Sequence, residues 1–302
     1  MNFPRIFLVA LFLSSFFVAG VPSRSQAEAN LSVEIFPREI RQGQTALLRV
    51  RAPEGVERVQ AVFDGEMMPL YPTAEGDWVG FLAVNMSAER GSKAVEVYTW
   101  TGNQTPELHP YALEVVWGGF LYQNIVISGA LLPLLDPNLN RQEYNVLVDA
   151  YARATPEKLW QGQLQHPPGD QISEFGGIRT YNDGVLEGRH TGVDFRAGLG
   201  EAVVAIGAGR VVYARHLPIH GNHVIIDHGW GVLSGYSHLS RIDVVPGQRV
   251  LAGTQIGAAG STGRVQGAHL HLEIAVNGLW VNPLQFLSLT VPEAPQEFAA
   301  RN

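Results

Sequence analysis

Short apolar runs with a period of two residues recur through the first third of the chain. Leu31, Val33 and Ile35 form the first run, and turn-forming Pro-Glu-Gly, Glu-Gly-Asp and Thr-Gly-Asn segments separate later ones. Such alternation predicts strands with one buried face. Roughly six or seven strands in about ninety residues predict an immunoglobulin-like β-sandwich over residues 30–118. The usual disulfide of that fold is excluded, because the chain has no cysteine.

A single helix is predicted between this sandwich and the remainder of the chain. Asp136 can cap it and Pro137 suits its first turn. Apolar side chains then follow with helical spacing at Tyr144, Leu147, Val148 and Tyr151. We therefore expect a connector over 119–162 with a helix at about 137–153. Glycine and β-branched residues predict an antiparallel β domain over 163–288, followed by a mobile tail over 289–302. The expected fold class is mainly β.

The N-terminal residues and the overall charge indicate where the protein acts. Arg5 precedes an apolar run from Ile6 to Ala19, and Ala27-Glu28-Ala29 fits a cleavage site. We expect a signal peptide over 1–29 and hence a secreted protein, with an uncleaved anchor as the alternative. After cleavage no stable membrane span is expected. The formal net charge of −7 argues against nucleic acid as a partner.

Two histidine signatures contain the parts of an open zinc site. They are His190-Thr191-Gly192-Val193-Asp194 and His269-Leu270-His271. Strand alternation directs His269 and His271 into one cavity, where one can bind a metal while the other faces the substrate. Gly192 permits a bend that brings His190 and Asp194 together. A catalytic zinc typically takes three protein ligands and leaves a fourth position for water. Without cysteine, these must be imidazole and carboxylate.

The motifs from about Gly162 to Leu287 resemble, in order and in residues, the lysostaphin-type zinc metallopeptidases, also called LytM-domain or Gly-Gly endopeptidases. The matching segments are Phe175–Arg179, His190–Asp194, Gly221–Gly229, Tyr236–Ser240, Val245–Val250, Gly260–Gly263 and His269–Glu273. The resemblance implies one zinc per chain, held by His190, Asp194 and His271, with His238 and His269 as catalytic histidines. The sandwich also resembles domains that precede some LytM-type peptidases.

Two departures from the family pattern concern the shape of one cleft wall. The chain reads Val265-Gln266-Gly267-Ala268 where the family usually has Ser/Thr-Gly-Pro, and it has Leu272 where an aromatic residue is common. Other side chains are expected to be structural. His223 and His228 are expected as hydrogen-bonded or half-exposed strand residues, His216 and His220 as exposed loop residues, and Tyr236 as a packed aromatic. Arg179 could pair with a substrate carboxylate or form a surface salt bridge.

The resemblance implies a secreted zinc endopeptidase of the bacterial periplasm or cell wall that hydrolyses peptidoglycan stem peptides or cross-bridges. The bond could be a D-alanyl to diamino-acid link or a glycine bridge. The alternative is a non-catalytic regulator, since some LytM-type domains lack zinc ligands and activate cell-wall amidases. A cell-division or cell-wall enzyme would then be the partner. Val245–Gly253 resembles the hairpin of lipoyl-type carrier domains, which need an acceptor lysine. A carrier domain is excluded, because the only lysines, Lys93 and Lys158, lie outside that region.

Overall fold

The computed structural model describes residues 31–295, which form a mainly β structure and confirm the predicted fold class. The predicted signal peptide at 1–29 lies outside these residues, and so does the part of the predicted tail from 296 to 302. Within the described range, no helix is long and apolar enough to cross a membrane.

Two sheets form the N-terminal sandwich. Its strands are β1 (Ser32–Phe36), β2 (Glu39–Arg41), β3 (Thr45–Arg51), β4 (Arg58–Phe63), β5 (Glu66–Met68), β6 (Tyr71–Pro72), β7 (Trp78–Ala83), β8 (Gly91–Trp100) and β9 (Glu107–Val116). One sheet has the order β1-β3-β7-β6 and the other β2-β9-β8-β4-β5. Alternate side chains of both sheets, including the fully buried Leu48, Val97 and Leu113, share one apolar core.

The strand predictions for this region are confirmed, because β1, β3, β4, β7, β8 and β9 coincide with the apolar runs in the sequence. The sequence missed β2, β5 and β6, which are two or three residues long and too short to show a period. Strand β2 pairs with β9 in parallel. The immunoglobulin-like topology stays a prediction.

The connector contains strand β10 (Tyr122–Ile125), a 3₁₀ helix (Gly129–Leu135) and helix α1 (Pro137–Tyr151). The Asp136 carboxylate accepts a hydrogen bond from the Asn138 amide at 2.8 Å and caps α1. The buried face of α1 differs from the predicted one, because it includes Glu143 whereas Tyr144 is 55% exposed. The Glu143 carboxylate accepts backbone N–H groups of the facing loop, which compensates for its burial.

The C-terminal region is built from short antiparallel strands. They are β11 (Gln171–Ser173), β12 (Ile178–Tyr181), β13 (Leu186–Arg189), β14 (Val193–Phe195), β15 (Ala202–Val204), β16 (Gly209–Leu217), β17 (Gly221–Gly229), β18 (Val232–Leu239), β19 (Arg241–Ile242), β20 (Arg249–Val250), β21 (Gln255–Ala258), β22 (Leu270–Val276) and β23 (Leu279–Val281), followed by helix α2 (Pro283–Leu287). The largest sheet has the order β11-β14-β22-β18-β17-β16-β20, with β23 beside β22. Every residue of β18 and β22 is buried, so both faces of the sheet are covered.

A continuous apolar core joins the sandwich to the C-terminal region. Tyr71 stacks on Trp230 with ring centroids 5.2 Å apart. The side-chain amide of Gln285 on α2 donates to the Thr45 carbonyl and accepts from the Thr45 amide, each at 2.9 Å. The sandwich is therefore packed against the region that carries the histidine motifs. The predicted domain boundaries stay a prediction.

Candidate metal centre and cleft

Two neighbouring strands bring His190, Asp194 and His271 together. Asp194 on β14 lies directly opposite His271 on β22 in the strand register, and His190 lies just before β14. The chain bends at Gly192, as predicted, and the contacts of this residue give a second reason for glycine. A Cβ atom there would lie 2.3 Å from the Leu272 carbonyl oxygen and 2.8 Å from the His271 ring. Glycine is required because β22 approaches closely.

The three side chains present one donor atom each to a common point. His190 Nε2 lies 3.0 Å from Asp194 Oδ1 and 2.9 Å from His271 Nδ1, and His271 Nδ1 lies 2.8 Å from Asp194 Oδ1. All three residues are buried. Two imidazole nitrogens and a carboxylate oxygen in this arrangement match the donor set of a catalytic zinc site.

The protonation states of His190 and Asp194 also suit a metal. Burial lowers the pKa of His190 to about 4, which keeps the imidazole neutral at neutral pH. Burial would raise the pKa of Asp194, but hydrogen bonds from His190 and His271 outweigh it and hold that pKa well below its ordinary value. Metal ligands must be deprotonated, so a neutral His190 and an ionised Asp194 are ready to bind.

Backbone carbonyls orient three of the site histidines. His190 donates from Nδ1 to the Glu174 carbonyl at 2.6 Å, His238 from Nδ1 to the Thr262 carbonyl at 2.9 Å, and His269 from Nδ1 to the Gly267 carbonyl at 2.9 Å. A proton on Nδ1 leaves the Nε2 lone pair of each ring available. In His190 this atom faces the other donors.

His238 and His269 lie beside the three donors. Their ring centroids are 5.0 Å apart, the His238 ring lies 5.7 Å from that of His271, and His269 Nε2 lies 3.6 Å from Asp194 Oδ1. His238 has a φ of 62°, which interrupts the side-chain alternation of β18. Burial, with the nearby His271 and His269, lowers the pKa of His238 well below its ordinary value, so its ring is a neutral proton acceptor at neutral pH.

A cleft of about 710 Å³ opens over these residues. Its walls come from all three parts of the chain: Tyr144 of α1, the sandwich loop 85–87 and the loop 264–266. Arg264 donates to the Leu134 carbonyl at 3.1 Å, and Gln266 donates to the Val126 carbonyl at 2.7 Å. The wall that departs from the family pattern is thus fixed to the connector.

The structure shows which of the other residues contact the site. Tyr236 is packed as predicted, with its hydroxyl bonded to the Ile206 amide and the Ser234 hydroxyl. Arg179 lies 3.5 Å from Asp194 Oδ2 with its side chain 18% exposed, so it pairs inside the site rather than at the surface. His223 and His228 are fully buried, and each is hydrogen-bonded.

Three polar residues behind His271 were not predicted as part of the site. His220, predicted as an exposed loop residue, instead lies between Glu143 and Glu273, and its side chain is only 18% exposed. Alternation along β22 could have identified Glu273, since it follows His269 and His271 on one face. The sequence carries no comparable signal for Glu143, whose contacts join α1 to a loop some 76 residues away.

Comparison with known families identifies the domain that carries these site residues. Residues 188–283 match the model of peptidase family M23, and the range contains His190, Asp194, His238, His269 and His271. The chain contains a peptidase M23 domain. The resemblance to lysostaphin-type, LytM-domain proteins is thereby confirmed.

Curated relatives of the M23 domain have two kinds of function. The peptidoglycan DD-endopeptidase ShyA of Vibrio cholerae is 46% identical over 96 residues, which cover 32% of this chain and 22% of ShyA. The murein hydrolase activator NlpD of Salmonella dublin is 43% identical over 107 residues, covering 35% of this chain and 28% of NlpD. The matches thus span less than a third of either relative.

A solved structure supports the fold over most of the chain. The crystal structure of an M23-type protein from Pseudomonas aeruginosa superposes with a TM-score of 0.60 and 24% identity. The superposition covers 82% of this chain and 94% of the other. It therefore extends well beyond the M23 domain.

Proposed function

We propose that the protein is a zinc-dependent endopeptidase that hydrolyses peptide bonds in peptidoglycan. The observation that carries this proposal is the group of three donor atoms at mutual distances of 2.8 to 3.0 Å, flanked by two histidines with free Nε2 atoms. A binding module has no need of that combination. A metal-dependent endopeptidase needs both a metal and residues that transfer protons.

His190, Asp194 and His271 would hold the zinc in this mechanism. When bound, zinc polarises the scissile carbonyl and lowers the pKa of its water toward ~7. With the proton on Nδ1, the Nε2 atoms of His238 and His269 would accept hydrogen bonds from the attacking water, orient it and take up its proton. The protonated imidazole then stabilises negative charge on the substrate oxygen and donates a proton to the leaving amine. The Thr262 and Gly267 carbonyls keep both rings in the required tautomer.

The relatives and the sequence support a substrate class and a location for this proposal. The likeness to ShyA, named a DD-endopeptidase, favours a D-alanyl to diamino-acid cross-link over a glycine bridge. Such a substrate lies outside the cytoplasm, which agrees with the signal peptide predicted over 1–29. The cleft has both polar and apolar walls, as an extended peptide requires.

The likeness to NlpD favours a second candidate function, activation of a murein hydrolase such as a cell-wall amidase. The presence of all five site residues argues for the enzyme, because a purely regulatory surface does not need three metal ligands and two oriented histidines. Both functions place the protein at the cell wall.

A digestion experiment separates the two candidates. Purified sacculi are incubated with the mature protein, with and without a chelator, and the fragments are identified by mass spectrometry. We expect cleaved cross-links that disappear with the chelator and return with zinc. Intact sacculi, together with faster hydrolysis by an added amidase, would instead establish the regulator.

A further inference from the structure

A row of buried charges lies behind His271, on the side away from Asp194. His220 Nδ1 is 2.5 Å from Glu143 Oε1, and His220 Nε2 is 3.6 Å from Glu273 Oε1. The side chains of Glu143 and Glu273 are 2% and 0% exposed. Buried charges are costly unless they are paired. The peptidase mechanism proposed above assigns no role to Glu143, His220 or Glu273.

The charges in this row alternate in sign. Burial would lower the pKa of His220, but hydrogen bonds with Glu143 and Glu273 raise it to about 9. Glu273 Oε1 lies 3.6 Å from His220 Nε2 and 3.5 Å from His271 Nε2, so this carboxylate faces an imidazole on each side. The row therefore places one imidazole between two buried carboxylates, an arrangement in which each group has a partner.

The row ends at a proposed zinc ligand. His271 Nε2 lies 3.5 Å from Glu273 Oε1, an ion-pair distance, while Nδ1 faces Asp194 at 2.8 Å. A carboxylate beside Nε2 keeps the proton on that nitrogen and leaves the Nδ1 lone pair for a metal. Glu273 is held in turn by the Tyr151 hydroxyl at 2.7 Å and by the Thr191 hydroxyl.

We propose that Glu143 and Tyr151 of helix α1 are positioning residues of the metal centre, acting through His220 and Glu273 on the orientation of His271. The proposal rests on the proposed function in so far as His271 is a zinc ligand. Its consequence is that the connector forms part of the metal site. A fragment that starts near residue 163 lacks both α1 residues and should bind zinc more weakly than the full chain.

The same atoms offer a competing use. One nitrogen each from His220 and His271 and one oxygen from Glu273 lie within 4.8 Å of one another and could hold a second metal ion. The contact between His220 Nδ1 and Glu143 is compatible with both arrangements, because Nδ1–H donates to the carboxylate whether Nε2 carries a proton or faces a metal. Zinc stoichiometry distinguishes the two arrangements.

Zinc affinity of the full mature chain tests the proposal. Competition with a chromophoric chelator is measured for the wild type, Glu143→Gln, Tyr151→Phe and the matched control Asp149→Asn, which removes an exposed charge from the same helix. We expect about tenfold weaker zinc binding for Glu143→Gln, a loss typical of residues that orient a metal ligand without touching the metal. Tyr151→Phe should weaken binding roughly threefold by loss of one hydrogen bond. Asp149→Asn should bind zinc as the wild type does.

Each other outcome has a separate meaning. Unchanged zinc affinity in Glu143→Gln and Tyr151→Phe, even with lower thermal stability, would overturn the proposal, because these residues would then only support the fold. If Glu143→Gln fails to fold, Tyr151→Phe alone decides. A wild-type chain with two zinc ions, the second lost in His220→Asn, would also overturn it. A wild-type chain without zinc would refute the proposed function instead.

Discussion

The interiors of the sandwich and of the M23 domain differ in what they bury. The sandwich core is apolar, and Asp77 is the one Asp, Glu, His, Lys or Arg buried among its described strands and turns. The M23 domain buries His190, Asp194, His238, His271 and Glu273 within a short distance of one another. Buried ionisable groups reduce stability unless each has a partner, and they concentrate where chemistry requires them. The contrast therefore separates a region built for packing from one built for function.

The largest expected effect comes from removing the buried carboxylate of the metal centre. Asp194→Asn replaces an anionic ligand by a neutral amide, so zinc should be lost and sacculus hydrolysis should fall below detection. Metal analysis and hydrolysis rates check this. Asp170→Asn, whose side chain is 90% exposed, serves as the control and should retain both. An active, zinc-loaded Asp194→Asn protein would contradict the ligand set.

A cavity in the sandwich core should lower the stability of the fold without changing zinc binding. Leu48→Ala removes a fully buried side chain, so the free energy of unfolding should fall by about 2–5 kcal/mol. The zinc content of the folded protein should stay as in the wild type. Leu108→Ala, at a position that is 47% exposed, is the control, with an expected change under about 0.5 kcal/mol. Loss of zinc from folded Leu48→Ala would show that the two interiors are coupled.

The buried charge of the sandwich should make a smaller, pH-dependent contribution. Asp77 lies 2.6 Å from Arg49 and 2.9 Å from Arg51. Burial would raise its pKa, but hydrogen bonds from both arginines lower it. Because the folded pKa is lowered, the stabilisation is present above the unfolded pKa of about 3.9 and is lost as pH falls through the folded value. Asp77→Asn should cost about 1–3 kcal/mol at pH 7.

Denaturant unfolding of the wild type and Asp77→Asn at pH 7 and at pH 3 measures this dependence. The difference in unfolding free energy should narrow at the lower pH. Asp64→Asn, whose side chain is 54% exposed and pairs with Lys93, is the control and should change stability little. A difference that widened at acid pH would contradict the sign of the Asp77 pKa shift.

The sequence predicted what depends on local pattern. Alternation located the main sandwich strands, and the ordered motifs named the five residues that the structure brings together. These features could be predicted because each occupies a few adjacent residues. Gly192 lies in a bend as predicted. The close approach of β22 is a second reason for glycine, and only the pairing between distant strands reveals it.

Contacts between distant segments could not be predicted. His220 was expected at the surface because it follows Pro218 in a turn, yet a carboxylate from α1 covers it. Helical spacing placed Tyr144 on the buried face, where the structure has Glu143. The hydrogen bonds of the Glu143 carboxylate outweigh the apolar pattern of the helix at this position. Its partners, the amides of Ile219 and His220, lie too far along the chain to be predicted from local sequence.

The measurement that tests the proposed metal centre most directly compares His269→Ala with His271→Ala. The two residues are two positions apart and face the same cleft, but only His271 is proposed as a ligand. Zinc content and sacculus hydrolysis are measured on both purified variants. His271→Ala should lose zinc and activity, whereas His269→Ala should keep zinc and lose about 10² to 10⁴ in turnover. Retained zinc in His271→Ala with loss in His269→Ala, or full activity in both, would contradict the assignment.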